Sequence, residues 1–387
     1  EMCIRDRVSI MEMGLAANKI AEGVMWLIDA LNKGIGNYGV AVICFTLILK
    51  LAMSPFDVWQ KVVMTKNNRA MERMKPQLEK LQQQYAGNKE LYSQKQMELY
   101  RKEKYSMLGS CLPSIISLVI FFMVFSGFNG MVKQYNINMY KDLSSSYYST
   151  YETQRAAAYT TEYNRLINDG KSETEADEAA TIVAKETATT AAQNTVISLF
   201  DDKYKKEIKF MWVNNVFMPD SWKNPIPDYE TFIGNGIGKL GIDTASIEHG
   251  NRTEYEEVMN PLIAKYNQVK RNGKSGSRWN GFMLLPIITG LITFASTKLM
   301  KQTQPPQPPT ANGSGKDMQN AMQANMKMMQ WFMPIMLAVF ALLYSTAFTV
   351  YMVISNLFST VFQLIYNACV KVNDKRNEEK RLESTFK

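Results

Sequence analysis

The stretch from Gly34 to Phe56 most constrains what this chain can fold into. It is 23 residues long and carries one charge, Lys50. As a helix at about 1.5 Å per residue, it is long enough to cross a hydrocarbon core of roughly 30 Å. An ionisable group inside such a span costs roughly 2.5 kcal/mol or more at the bilayer centre, so its presence needs a reason. Two readings stand at this point. Lys50 lies six residues before Phe56 and can thread its ammonium to the interface along its aliphatic stem. Alternatively, it faces a polar cavity inside the membrane, where it supplies the only positive charge within the spans.

Further uncharged runs are Tyr105–Val132 (28 residues), Trp279–Thr297 (19) and Met328–Val370 (43). The last is about 65 Å of helix, twice one bilayer crossing, so it reads as two spans joined by a tight turn. The expectation is therefore an all-α polytopic membrane protein with five spans, and a soluble globular protein is excluded. The net charge of +8 is not arranged in basic blocks interleaved with aromatics, so it reads as membrane orientation and not as DNA binding. Of the cysteines, Cys44, Cys111 and Cys369 lie in apolar spans without CxxC spacing and read as reduced, packed thiols. His249 is the only histidine, which argues against metal or histidine-based catalysis. An intramembrane enzyme would need paired carboxylates or Ser/His partners in its spans, and these spans hold no Asp, Glu or His. Cys3 lacks the context of a lipid-attachment site, and the start at Glu1 reads as incomplete.

Taken in order, residues 8–33 place Ile20, Val24, Leu27, Ile28 and Leu31 at helical spacing. This predicts an amphipathic interfacial helix before the span 34–56; a surface helix of a small N-terminal domain is the alternative. Segment 57–104 holds eleven basic and six acidic residues, net +5, and is short enough for the positive-inside rule, so it is expected in the cytoplasm. Within it Met71, Met74, Leu78, Leu81 and Tyr85 follow a 3-4-3-4 spacing, a narrow apolar seam on a helix. Ala86-Gly87-Asn88 supplies a turn, after which a second helix can return antiparallel, giving a basic helical hairpin.

The second span is 105–132, and 133–278 is expected outside. Residues 129–278 carry 18 basic and 20 acidic residues, net −2, with a helix over 152–199 and loops around Pro219–Pro227. Lys270, Arg271, Lys274 and Arg278 sit against this pattern, because they put positive charge on the outer side of the third span, 279–297. A cytoplasmic linker, 298–327, precedes the fourth and fifth spans, 328–347 and 348–370. The cytoplasmic tail 371–387 has six basic and four acidic residues. The N-terminus is thus expected outside and the C-terminus inside. Two patterns are set aside. GNGIGK (234–239) lacks the first glycine and the Ser/Thr of a phosphate loop and reads as a turn. Asn251-Arg252-Thr253 matches a glycosylation sequon that arises readily by chance.

The fragments GNYGVAVICFTLILKLAMSPF, MKPQLEKLQQQY, LGSCLP, FMWVNNVFMPD, LLPIITGLITF and VYMVISNLFS occur in this order on a five-span plan. So arranged, the chain resembles the YidC-type membrane protein insertases, a bacterial family related to the mitochondrial and chloroplast inner-membrane insertases. The resemblance covers roughly 24–133, 208–222 and 279–372; residues 134–207 and 223–278 have no counterpart. It implies a five-helix bundle around a polar groove, open to the cytoplasm and to lipid, that holds one basic residue, usually arginine. Lys50 takes that place; it keeps the charge but lacks the planar fork that pairs bidentately with carboxylates. Thr46, Ser114, Ser117, Met352 and Ser355 are the further groove residues. Each hydroxyl has the alternative of bonding to its own backbone four residues earlier. Ser117 stands where the family often has glutamine, Met352 where it has tryptophan, and Ser345-Thr346-Ala347 replaces a Pro-Ala-Gly turn, which leaves the groove smaller and less polar. The implied activity is insertion and folding of membrane proteins in the bacterial plasma membrane. The implied partners are nascent clients, the ribosome, the Sec translocon and the bilayer, and no cofactor is implied. A small-solute transporter or channel is the other class, although the sequence shows no internal repeat.

Overall fold

The computed structural model describes Lys19 and residues 22–85, 87–103, 105, 107–271, 274–301, 331–332 and 334–385. Residues 8–18 and 20–21 of the expected interfacial helix lie outside the described residues, as do 302–330 of the linker and fourth span. The helices are α1 (22–35), α2 (Tyr38–Gln84), α3 (Lys89–Lys102), α4 (Met107–Asn168), α5 (Glu173–Leu199), α6 (Lys205–Ile208), α7 (Tyr229–Ile233), α8 (Arg252–Tyr266), α9 (Leu284–Lys301), α10 (Pro334–Leu343) and α11 (Thr346–Thr385). One antiparallel hairpin interrupts the all-helical pattern, with β1 (Gln268–Arg271) paired to β2 (Lys274–Ser277). Among the described residues three helices are long and apolar enough to cross a membrane, Tyr38–Leu81, Ile116–Asn168 and Thr346–Glu379, and α9 and α10 are shorter apolar helices. Leu51, Phe122, Leu291 and Ile365 on these helices are exposed, as expected of faces whose solvent is lipid. This is a helical membrane protein.

Two helices outrun their apolar stretches. α2 does not stop at Phe56 but continues to Gln84, 47 residues in all, with Pro55 inside it. A proline lacks the N–H that would bond the carbonyl four residues back. Here Ser54 Oγ donates to that carbonyl, Leu51 O, at 2.8 Å, so the helix passes the proline with its acceptor satisfied. α4 likewise runs 62 residues, well past Val132. The single helix expected over 152–199 is instead two. Gly170 adopts a left-handed φ of 81° that ends α4, and Ser172 caps α5 by accepting from Glu175 N at 3.4 Å.

The chain divides into two compact units. The first gathers Glu1–Val42, Val124–Leu284 and Ala341–Phe348. In it α1 buries Val24 and Ile28 where α4 offers Gly127, at which an added Cβ would come within 2.8 Å of Val24 Cβ. The apolar face of α1 therefore packs on protein, and Trp26 points outward, 71% exposed. α5 returns antiparallel along α4, tied by Tyr159 OH to Asp177 Oδ1 (2.6 Å) and by Tyr204 OH to Asp142 Oδ2 (2.6 Å). Its buried stripe, Ala176, Ala180, Ala184, Ala188, Ala192 and Val196, recurs every four residues and lets neighbouring backbones approach. α8 starts at a capping box formed by Asn251 and Glu254, and it joins Tyr140 and Phe232 to Tyr255 in an aromatic core. Residues 234–239 form the expected turn, with Gly236 and Gly238 at positive φ. Buried Asn280 fastens the loop before it: its Nδ2 donates to the carbonyls of Asn215, Met218 and Pro219, and its Oδ1 accepts from Asn215 N. The first turn of α11 closes on the same loop, with Thr346 N donating to Met218 O and Ala347 N to Val216 O. Those N–H groups have no partner within a helix.

The second unit gathers Ile43–Met123, Leu285–Phe340 and Thr349–Lys387. α2 and α3 form an antiparallel pair about the turn at 85–88, where Asn88 caps α3. Ala70, Met71, Met74 and Leu78 bury against Leu99 and Tyr100, with Leu81 and Tyr105 packed alongside. Tyr85, half-buried, sits at the turn. α9 meets α10 at Gly290, where an added Cβ would lie 3.2 Å from Ala338 Cβ. Asn356 Nδ2 of α11 donates to Thr293 Oγ1 of α9 at 3.1 Å.

Candidate functional site

α2 and α11 are joined by a seam of polar contacts. Lys50 Nζ donates to Ser359 Oγ at 3.2 Å, Lys61 Nζ donates to Gln363 Oε1, and Thr65 Oγ1 meets Tyr366 OH at 3.1 Å. Arg69 Nη2 reaches both carboxylate oxygens of Asp374, at 2.6 and 2.8 Å. The partners ascend together in number, so the two helices run parallel. On α2 these positions, with Asp57, are separated by seven, four, four and four residues. That spacing keeps them on one face of a 3.6-residue helix.

The seam does not close completely. It leaves a cavity of about 430 Å³ lined by Lys50, Asp57, Lys61, Thr65, Ser117, Ser359 and Gln363, among others. A smaller cavity of about 160 Å³ shares Lys50, Asp57 and Ser117 and adds Tyr351 and Ser355. Of the groove residues read from the sequence, Lys50, Ser117 and Ser355 come together here. Thr46 and Met352 do not line either cavity: Thr46 is fully buried and Met352 is 4% exposed. The Ser114 side chain lies outside the described residues. Lys50 is the only charge between Gly34 and Phe56. Asp57 and Lys61 face the same space, because α2 carries its Lys50 face onward past Pro55.

Asp57 and Lys61 fall in the segment read as the basic hairpin, and Ser359 and Gln363 lie within the fifth span without being read as groove residues. A signal existed in the helical spacing of Lys50, Asp57, Lys61 and Thr65, and in Ser355, Ser359, Gln363 and Tyr366 at intervals of four, four and three. Chemically the cavity offers two ammonium groups, one carboxylate, hydroxyls and the four carboxamides of Gln60, Asn68, Gln363 and Asn367. Such a surface can substitute for water around polar or acidic groups that would otherwise cost several kcal/mol each in hydrocarbon.

Comparison with known proteins fits this architecture. The family model described as 60Kd inner membrane protein matches residues 30–375. The chain belongs to that family. Its similarity to individual relatives is confined to shorter regions. It is 34% identical over 113 residues to a protein of Fusobacterium nucleatum named membrane protein insertase YidC, covering 29% of this chain and 53% of that one. Relatives of the same name from Vibrio cholerae (37% over 102 residues) and Stenotrophomonas maltophilia (32% over 106) share 26% and 27% of this chain and 18% of their own lengths. The aligned part thus spans about half of the first relative and less than a fifth of the other two.

Proposed function

We propose that the chain is a membrane protein insertase that takes a client's short hydrophilic flank into the cavity between α2 and α11 while the client's apolar helix moves into lipid. The observation that carries this reading is the cavity itself, a charged and hydroxyl-lined space on helices apolar enough to span a membrane in a chain of this family. α9 and α10 would complete a five-span bundle. The α2–α3 hairpin, net +5 over 57–104, would receive the nascent chain at the cytoplasmic face. Parallel α2 and α11 put their C-terminal ends on the same side, and both helices end in basic stretches, which supports a C-terminus in the cytoplasm. The ribosome and the Sec translocon are the proposed partners.

Lys50 and Lys61 would attract acidic groups in the passing segment, with Asp57 moderating that field. The test is insertion of a single-span reporter with an acidic N-tail, beside a neutral-tailed one, in cells depleted of the native protein. Lys50→Leu should slow the acidic reporter, Lys50→Arg should retain activity, and Lys50→Glu should be worst, because like charges repel where screening is poor. If Lys50→Glu inserts both reporters like the unmodified chain, Lys50 plays no part in capture.

A further inference from the structure

Arg278 is one of the four basic residues that break the charge rule beside the third apolar segment, and the structure gives it a setting. In the first unit it lines a pocket of about 170 Å³ with Lys205, Lys209, Asn214 and Tyr266, against an apolar wall that includes Phe200 and Ile226. No carboxylate lines this pocket among the described residues. Asp201, which follows Phe200 of the lining, is engaged by Lys205 Nζ (2.6 Å), Lys265 Nζ (2.8 Å) and Tyr266 OH. Among the described residues neither Lys209 nor Arg278 is ion-paired. Of the pocket's three cations only Lys205 is ion-paired among the described residues, and the space is that of about six waters. That suits a phosphodiester and is too small for a stretch of polypeptide.

Its surroundings identify the source of the phosphate. Trp279 and Phe282 follow Arg278 directly and are 48% and 65% exposed, and the apolar helix α9 begins at Leu284. Asn214 of the pocket donates to Trp279 O at 3.1 Å, and Gly281 N donates to Ser221 O beside exposed Trp222. A basic residue, then outward aromatics, then an apolar helix is the order in which a chain passes from water through the headgroup layer into hydrocarbon.

We propose that this pocket binds the phosphate of an anionic phospholipid in the leaflet that α9 enters, with Trp279 and Phe282 against the lipid's glycerol and upper acyl region. The proposal rests on the chain being a membrane protein and not on the insertase reading. It also gives Arg278, one of the four basic residues that run against the charge pattern, a ligand to serve.

The test is native mass spectrometry of the whole chain, released from detergent micelles containing phosphatidylcholine and titrated with phosphatidylglycerol. The double variant Lys209→Gln/Arg278→Gln should bind phosphatidylglycerol about 30-fold more weakly, from two cations at a membrane surface. The charge-matched variant Lys141→Gln/Lys185→Gln should bind it as the unmodified chain does. If the double variant does not fold, Lys209→Gln alone should lose about fivefold. Equal binding by all variants overturns the proposal. Displacement of the lipid by inorganic phosphate at matching concentration would mean a free-anion site, and displacement by an acidic peptide would mean a polypeptide site. Either result overturns the lipid assignment while leaving reporter insertion, measured separately, unaffected.

Discussion

Asp201 concentrates the polar chemistry of the first unit at one carboxylate. Hydrogen bonds from Lys205, Lys265 and Tyr266 hold its carboxyl well below the usual carboxylate range. The unfolded value is about 3.9, so the folded value lies beneath it, and the stabilisation is complete above the unfolded value. It is lost as pH falls through the folded one. Asp201→Asn should therefore lower the melting temperature of the chain at pH 7, and the gap between variant and parent should shrink below about pH 4. A gap that persists in acid would mean the loss is steric. Single residues were unevenly legible in the sequence. Lys50 stood out because a charge in an apolar run is costly. Thr46 looked equally polar yet is fully buried away from the cavity, since composition does not say which way a helical side chain points. Asp57 and Lys61 were visible but were read as loop charge.

At the scale of elements, the seam from Met71 to Leu81 was legible because a 3-4 repeat has one geometric meaning on a helix. The structure places Met74 and Leu78 at no exposure within the α2–α3 core. Replacing both by Asp should impair insertion more than replacing Lys66 and Lys80 by Ala, because buried carboxylates would part the helices. Equal effects would assign the hairpin's contribution to its charge alone. The ends of elements were less legible. Hydropathy reports what surrounds a helix and not where its backbone stops, so α2 and α4 pass unannounced from apolar to polar sequence. The break at 169–172 had a local signature in Asp169-Gly170 and Ser172, which the alanine-rich flanks obscured.

For the whole molecule, the direction of α2 and α11 makes the sidedness reading testable. In a chain without its native cysteines, single cysteines at Lys95 and Asn377 should resist an impermeant thiol reagent in intact cells, and one at Glu175 should react. Labelling of position 95 from outside would reverse the arrangement. The two long insertions, 134–207 and 223–278, matched no motif, but they fold onto each other through Tyr140, Phe232 and Tyr255. That pairing joins residues distant in sequence, and no local pattern reveals it. The first unit also draws support from Thr346, whose hydroxyl donates to Met218 O across 128 residues of chain. At the pace of ribosomal synthesis that separation is about 6 to 26 seconds. During that wait the Met218 loop has emerged but lacks the helix start that fastens it. Completion of this unit is thus scheduled by the arrival of Thr346 and Ala347, and a chain halted before them keeps an open seat on the Met218 loop.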